Sequence, residues 1–100
     1  MSDNEVVVKS GRKIAMGADW WEIRDNGEPV RYVDVLTEAR HYNGVLYLTL
    51  GSAFIDANNA GIVDIAARLR MDIGMAQNLQ SMLKKMIDEV LTPVDKGKAN

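Results

Sequence analysis

Two adjacent residues, Asn43 and Gly44, constrain this chain more than any others. Asn-Gly is the strongest short-range signal for a two-residue hairpin loop, because both central residues of such a turn take positive φ. Behind it runs Val45-Leu46-Tyr47-Leu48-Thr49-Leu50, rich in β-branched and aromatic residues and too short for a buried helix. The residues before the turn must therefore run back antiparallel, with Tyr42 facing Val45, His41 facing Leu46, Arg40 facing Tyr47, Ala39 facing Leu48, Glu38 facing Thr49 and Thr37 facing Leu50. This register predicts a core face of Val33, Val35, Thr37, Ala39, Leu46, Leu48 and Leu50. On the opposite face it places Asp34, Glu38, Arg40 and Thr49, with Tyr32, Leu36, Tyr42, Val45 and Tyr47 among them.

A third strand is expected after the turn formers Asp56 to Gly61, where Val63, Ile65, Ala67, Leu69 and Met71 alternate with Asp64, Ala66, Arg68 and Arg70. Asp72 then suits a helix N-cap. From Met75 the apolar residues Ala76, Leu79, Met82, Leu83, Met86, Ile87 and Val90 fall at helical spacing, and Pro93 stops the helix near Leu91. Upstream, Glu5 to Lys9 and Trp20 to Arg24 are strand-like, and Asp25-Asn26-Gly27-Glu28-Pro29 predicts a turn pairing the second with Val30 to Val35. Residues 9–19 show no consistent period and fit either an arm or an extra strand. The expected fold is α+β: an antiparallel meander of three to four strands with one C-terminal amphipathic helix packed on one face. Its expected divisions are an arm or extra strand over 1–19, the sheet and helix over 20–91, and a flexible tail over 92–100.

The run from Tyr32-Val33-Asp34 through Gly44-Val45-Leu46-Tyr47-Leu48-Thr49-Leu50-Gly51, Ala67-Arg68-Leu69-Arg70-Met71 and Ala76-Gln77-Asn78-Leu79-Gln80-Ser81-Met82-Leu83 resembles a family of small bacterial proteins catalogued only as a domain of unknown function. The resemblance covers the last two thirds of the chain and implies a strand-strand-strand-helix unit. Val33-Asp34 stands where that family has Ala-Asn, and Leu50-Gly51 where it has Phe-Gly. It implies no catalytic residues.

Composition narrows the function. In 100 residues there are no cysteines and one histidine, which removes disulfides, redox dithiols, thiolate metal sites and multi-histidine metal sites within one chain. Twelve Lys and Arg against fourteen Asp and Glu give a net charge of -2, so no global positive field draws the chain to nucleic acid or an anionic membrane. The polar, acidic N-terminus shows neither a basic n-region followed by a long apolar stretch nor a membrane span, so a cytoplasmic location, or assembly into a particle formed there, is expected. Nothing in recognisable form supplies a nucleophile, a metal set or a phosphate-cradling loop, so the chain is expected not to be an enzyme, to need no cofactor and to take no small-molecule substrate.

Individual candidates follow the same logic. Asp56 to Gly61 opens like a calcium loop, but Ala60 and Ala67 occupy two ligand positions. His41 has no accompanying nucleophile motif, so a strand-end role is expected. Met71, Met75, Met82 and Met86 read as core under the helix. Trp20 and Trp21 are neighbours on a strand, which sends them to opposite faces, so one of them is left to a partner or to the N-terminal arm. Arg68 and Arg70 share a strand face and form the alternative, a small DNA-binding regulator reading through that strand. The leading expectation is a structural or protein-interaction module, self-associating or a subunit of a larger assembly such as a bacterial adaptor or phage particle component. Its contacts are expected at Trp20, Trp21, Tyr32, Tyr42, Tyr47 and Arg40, because one helix can cover only one side of the sheet.

Overall fold

The structure, a computed structural model, describes residues 7–9 and 11–93. The expected strand at Glu5-Val6 and the expected loose tail from Asp95 lie outside them. The chain divides into two compact units, residues 1–30 and residues 31–100.

In the first unit, strands β1 (Lys13–Met16) and β2 (Asp19–Glu22) pair antiparallel, with Ile14 opposite Trp21 and Ala15 opposite Trp20. Residues 13–16 are thus a strand, whereas residues 7–9 are not. The Asp25 turn forms as expected, its Oδ1 accepting the N–H groups of Gly27 and Glu28 at 2.9 and 3.2 Å. It does not fold Trp20 to Arg24 onto Val30 to Val35, as the sequence led one to expect. Gly17, at φ 64, closes a two-residue loop with Ala18 directly before β2, and a short closure costs less chain entropy than a longer one. The Trp-Trp segment therefore belongs with residues 1–30 and does not begin the sheet-and-helix domain.

The second unit is a three-stranded antiparallel sheet, β3 (Val35–Tyr42), β4 (Val45–Ile55) and β5 (Gly61–Asp72), followed by α1 (Ile73–Leu91). It is an α+β fold with a β-meander and a single helix; the meander has three strands, and no fourth joins it among the described residues. Asn43 and Gly44 have φ of 51° and 76°, and the register from Tyr42↔Val45 to Glu38↔Thr49 is the expected one. Asp72 caps α1, its Oδ1 accepting the Met75 N–H at 2.7 Å. Thr92, just before Pro93, ends the helix in extended geometry.

Beyond that point the register departs from expectation. A bulge between Leu36 and Glu38 sets Leu36, not Thr37, opposite Leu50. Paired residues share a face, so Leu36 moves to the helix side, and Val35, opposite Gly51, moves to the other. A second bulge makes Ala66 the extra residue of β5: Ala67 lies opposite Leu50 and Ile65 opposite Gly51. The alternation expected from Val63 to Met71 is therefore broken. Val63 and Ile65 lie on the side away from the helix, and Leu69 and Met71 on the side toward it. Tyr32 precedes β3 and is on no strand.

Gly51 makes this arrangement possible. A Cβ there would stand 2.7 Å from the Asp64 carbonyl oxygen and 2.8 Å from Val63 Cγ1. The valine can give way, but the carbonyl belongs to the paired strand. Gly51→Ala should therefore destabilise the unit by about 1 to 3 kcal/mol, through forced separation of β4 and β5. Chemical denaturation checks this, and an unchanged midpoint would show that the ladder yields freely.

Candidate functional site

The two faces of the sheet differ in chemistry. The outer face, turned away from α1, carries a polar cluster centred on Thr49, which is 6% exposed and the one buried polar side chain among the described residues. Its hydroxyl donates to Glu38 Oε1 at 2.9 Å, and its carbonyl accepts the Thr37 hydroxyl at 3.2 Å, so burial leaves no polar atom unpaired. Arg40 Nε donates to Glu38 Oε2 at 3.0 Å, and its guanidinium lies 4.8 Å from the centre of the Tyr47 ring, a cation–π contact. Arg68 and Arg70 lie across β4 from this group, in the paired rungs Thr49↔Arg68 and Tyr47↔Arg70. Together these side chains line a shallow depression of about 420 Å³.

Of the expected contact residues, the structure thus brings together Arg40 and Tyr47, with Arg68 and Arg70 beside them. Tyr42 is on the same face at the hairpin end, and Tyr32 stands apart before β3. His41 lies opposite Leu46, on the helix side. In the first unit Trp20 and Trp21 are on opposite faces of the β1–β2 ribbon and are both exposed, at 68% and 57%. Neither enters a core. The Asp56 carboxylate is turned onto its own loop, where Oδ1 accepts the N–H groups of Asn58 and Ala60 at 2.9 Å each.

The inner face is apolar and incompletely covered. α1 packs its first turns on the sheet through Ala76, Leu79 and Met82, which are half-buried. Farther along, the stripe expected to be core comes open: Leu83 and Met86 are nearly half exposed, Ile87 is 52% exposed and Val90 81%. An open groove of about 470 Å³ runs between this part of α1 and Leu46, Leu48 and Met71 of the sheet. Sequence periodicity identifies such a stripe but not its cover, since a core stripe and an interface stripe have the same spacing. Among the described residues no hydrophobic side chain is buried. No helix among them is long and apolar enough to cross a membrane.

Comparison with known proteins finds no matching family model, no matching curated protein and no matching solved structure.

Glu38 provides a reporter for the outer face. The Thr49 hydrogen bond, followed by the charge of Arg40 after a smaller opposing effect of desolvation, holds its carboxyl below the ordinary glutamate value. A carboxyl depressed in the folded state contributes stability above its unfolded pKa, and that contribution is lost as pH falls through the folded pKa. Thr49→Val should therefore raise the Glu38 titration midpoint toward the ordinary value, as read by carboxyl NMR. A midpoint unmoved by the substitution would assign the shift to Arg40 instead.

Proposed function

We propose that this chain is a non-enzymatic interaction module that works by assembling, with itself or as a subunit of a larger complex. The observation that carries this reading is the lack of any buried hydrophobic side chain among the described residues. Ordering a residue costs about 1 to 2 kcal/mol of backbone entropy, and apolar burial is the main term that offsets it. A sheet and helix that leave Leu83, Met86, Ile87 and Val90 in water forgo much of that offset. Covering the same residues in a complex restores it. The open stripe of α1 is the first contact surface on this reading. Trp20 and Trp21 supply a second, in keeping with the part aromatic anchors play at interfaces. Tyr42 and Tyr32 extend the set, and Arg40, stacked on Tyr47, supplies a polar margin.

Light scattering after size exclusion tests the proposal. A mass that is a multiple of 11.1 kDa is expected for the isolated protein at micromolar concentration. A monomer at high micromolar concentration that also fails to bind an apolar-surface dye would overturn it.

A second reading has one observation in its favour. Among the described residues Arg68 and Arg70 form no salt bridge, and they stand with Arg40 beside the Tyr47 ring, an arrangement suited to a phosphate backbone and a stacked base. On this reading the chain is a small DNA-binding regulator. Labelled DNA should then bind with an affinity that falls steeply with salt, and Arg68→Ala with Arg70→Ala should abolish the anisotropy change. No binding at low salt would dispose of this alternative.

A further inference from the structure

We infer that the outer face of the sheet takes a single strand of nucleic acid, its phosphates along β5 and its bases over the stacked pair of Arg40 and Tyr47. This rests on the DNA-binding reading and names the form of nucleic acid that the site accepts. Three arginines and one carboxylate, Glu38, line the depression of about 420 Å³, so the lining carries an excess of two positive charges in a chain whose net charge is -2. Asp72, the next acid along β5 after Arg70, is engaged in capping α1 through Oδ1.

The rungs of the ladder set these groups in order. Arg40, Tyr47 and Arg70 stand side by side on β3, β4 and β5, and Glu38, Thr49 and Arg68 form the next rung of that face. Arg68 and Arg70 are two residues apart, about 7 Å, and make a cationic row along an edge strand of the sheet. One strand inward, Tyr47 is half-buried and the Arg40 guanidinium lies over its ring. Glu38 holds that guanidinium through Nε and is itself held by the Thr49 hydroxyl. The guanidinium is thus positioned within the protein, while the Arg40 side chain stays 63% exposed. An exposed guanidinium fixed over an aromatic ring offers a base a stacking surface, and the arginine row beside it meets phosphates.

The width of the sheet selects the single strand. A duplex is read by a helix or a two-stranded ribbon entering a major groove about 12 Å wide. At both of these rungs β4 has a strand on either side, and three strands at about 4.8 Å spacing occupy about 14 Å. The face therefore stays outside the groove of a duplex, where it meets phosphates but no bases. An unpaired strand has no groove to enter and presents both at once. An acidic peptide would match the arginines and leave the planar pair unused.

Fluorescence anisotropy on the full chain tests this with a labelled oligothymidylate of about 12 nucleotides, a length within the roughly 4 to 16 that one small β domain covers. An abasic strand and a duplex of the same length are compared with it. The oligothymidylate should bind most tightly, ahead of the duplex despite the duplex's higher charge density, and the abasic strand at least about five-fold more weakly. Arg40→Lys keeps the charge and removes the plane, so it should lose at least about five-fold in affinity at an unchanged salt slope. Arg68→Ala alone should instead flatten that slope by about 0.7, the value of one phosphate contact on a single strand. Circular dichroism reports the fold of both variants, and the abasic comparison uses the wild type. An abasic strand bound as tightly as oligothymidylate, or an oligoglutamate of equal charge that competes as well, would overturn the stacked arrangement. A duplex bound more tightly than the single strand would overturn it too, while leaving the DNA-binding reading standing. No binding of any of these strands at low salt would overturn both.

Discussion

The second unit depends on the rung at Leu50 and Gly51. Both neighbours of β4 carry an extra residue there: Thr37 in β3 between Leu36 and Glu38, and Ala66 in β5 between Ile65 and Ala67. A bulge bends its strand and reverses which side chains face which way beyond it. With bulges on both flanks at one level, the sheet changes sidedness at that rung. On the hairpin side of the rung, Leu46, Leu48, Leu69 and Met71 face the helix; beyond it, Val63 and Ile65 face away. The switch requires β5 to pass close to β4, and only a residue without Cβ leaves room for the Asp64 carbonyl and Val63. Gly51 is thus the hinge of the pattern, and Thr49, two residues earlier on the same face, anchors it with a fully bonded polar cluster.

What was legible in the sequence follows from this rung. Everything between it and the Asn43-Gly44 turn could be read, because a two-residue loop fixes register and each pair fixes the next. The helix, its Asp72 cap and its end before Pro93 were legible for equally local reasons. The bulges were not. Thr37 and Ala66 carry no local signal, and the run from Val63 to Met71 alternates so regularly that the sequence gives no hint of a break. The pairing of β2 with β1 is masked in the sequence by the Asp25 turn, a strong signal that does form yet closes no ladder.

The candidate surfaces divide in the same way. The outer-face group was legible in part, since the register placed Glu38, Arg40, Tyr47 and Thr49 together; the stacking of Arg40 on Tyr47 and the burial of Thr49 depend on side-chain geometry that spacing does not encode. The helix stripe is legible as apolar, and its spacing alone predicts a core position for all of it. Leu79 and Met82 are half-buried, whereas Leu83 and Met86 are nearly half exposed, although all four share one periodicity. The difference is one of reach: a helix of nineteen residues is about 28 Å long, and packing begins at its capped end.

This geometry bears on how the two faces can serve at once. α1 stands over Leu46, Leu48 and Met71 on one side of the sheet, and the Thr49 cluster lies on the other. The apolar stripe of α1 and the arginines of the outer face therefore occupy separate areas. The strand between them is β4, which presents Tyr47 and Thr49 to one side and Leu46 and Leu48 to the other. The outer-face cluster and the groove beneath α1 thus back onto the same few residues.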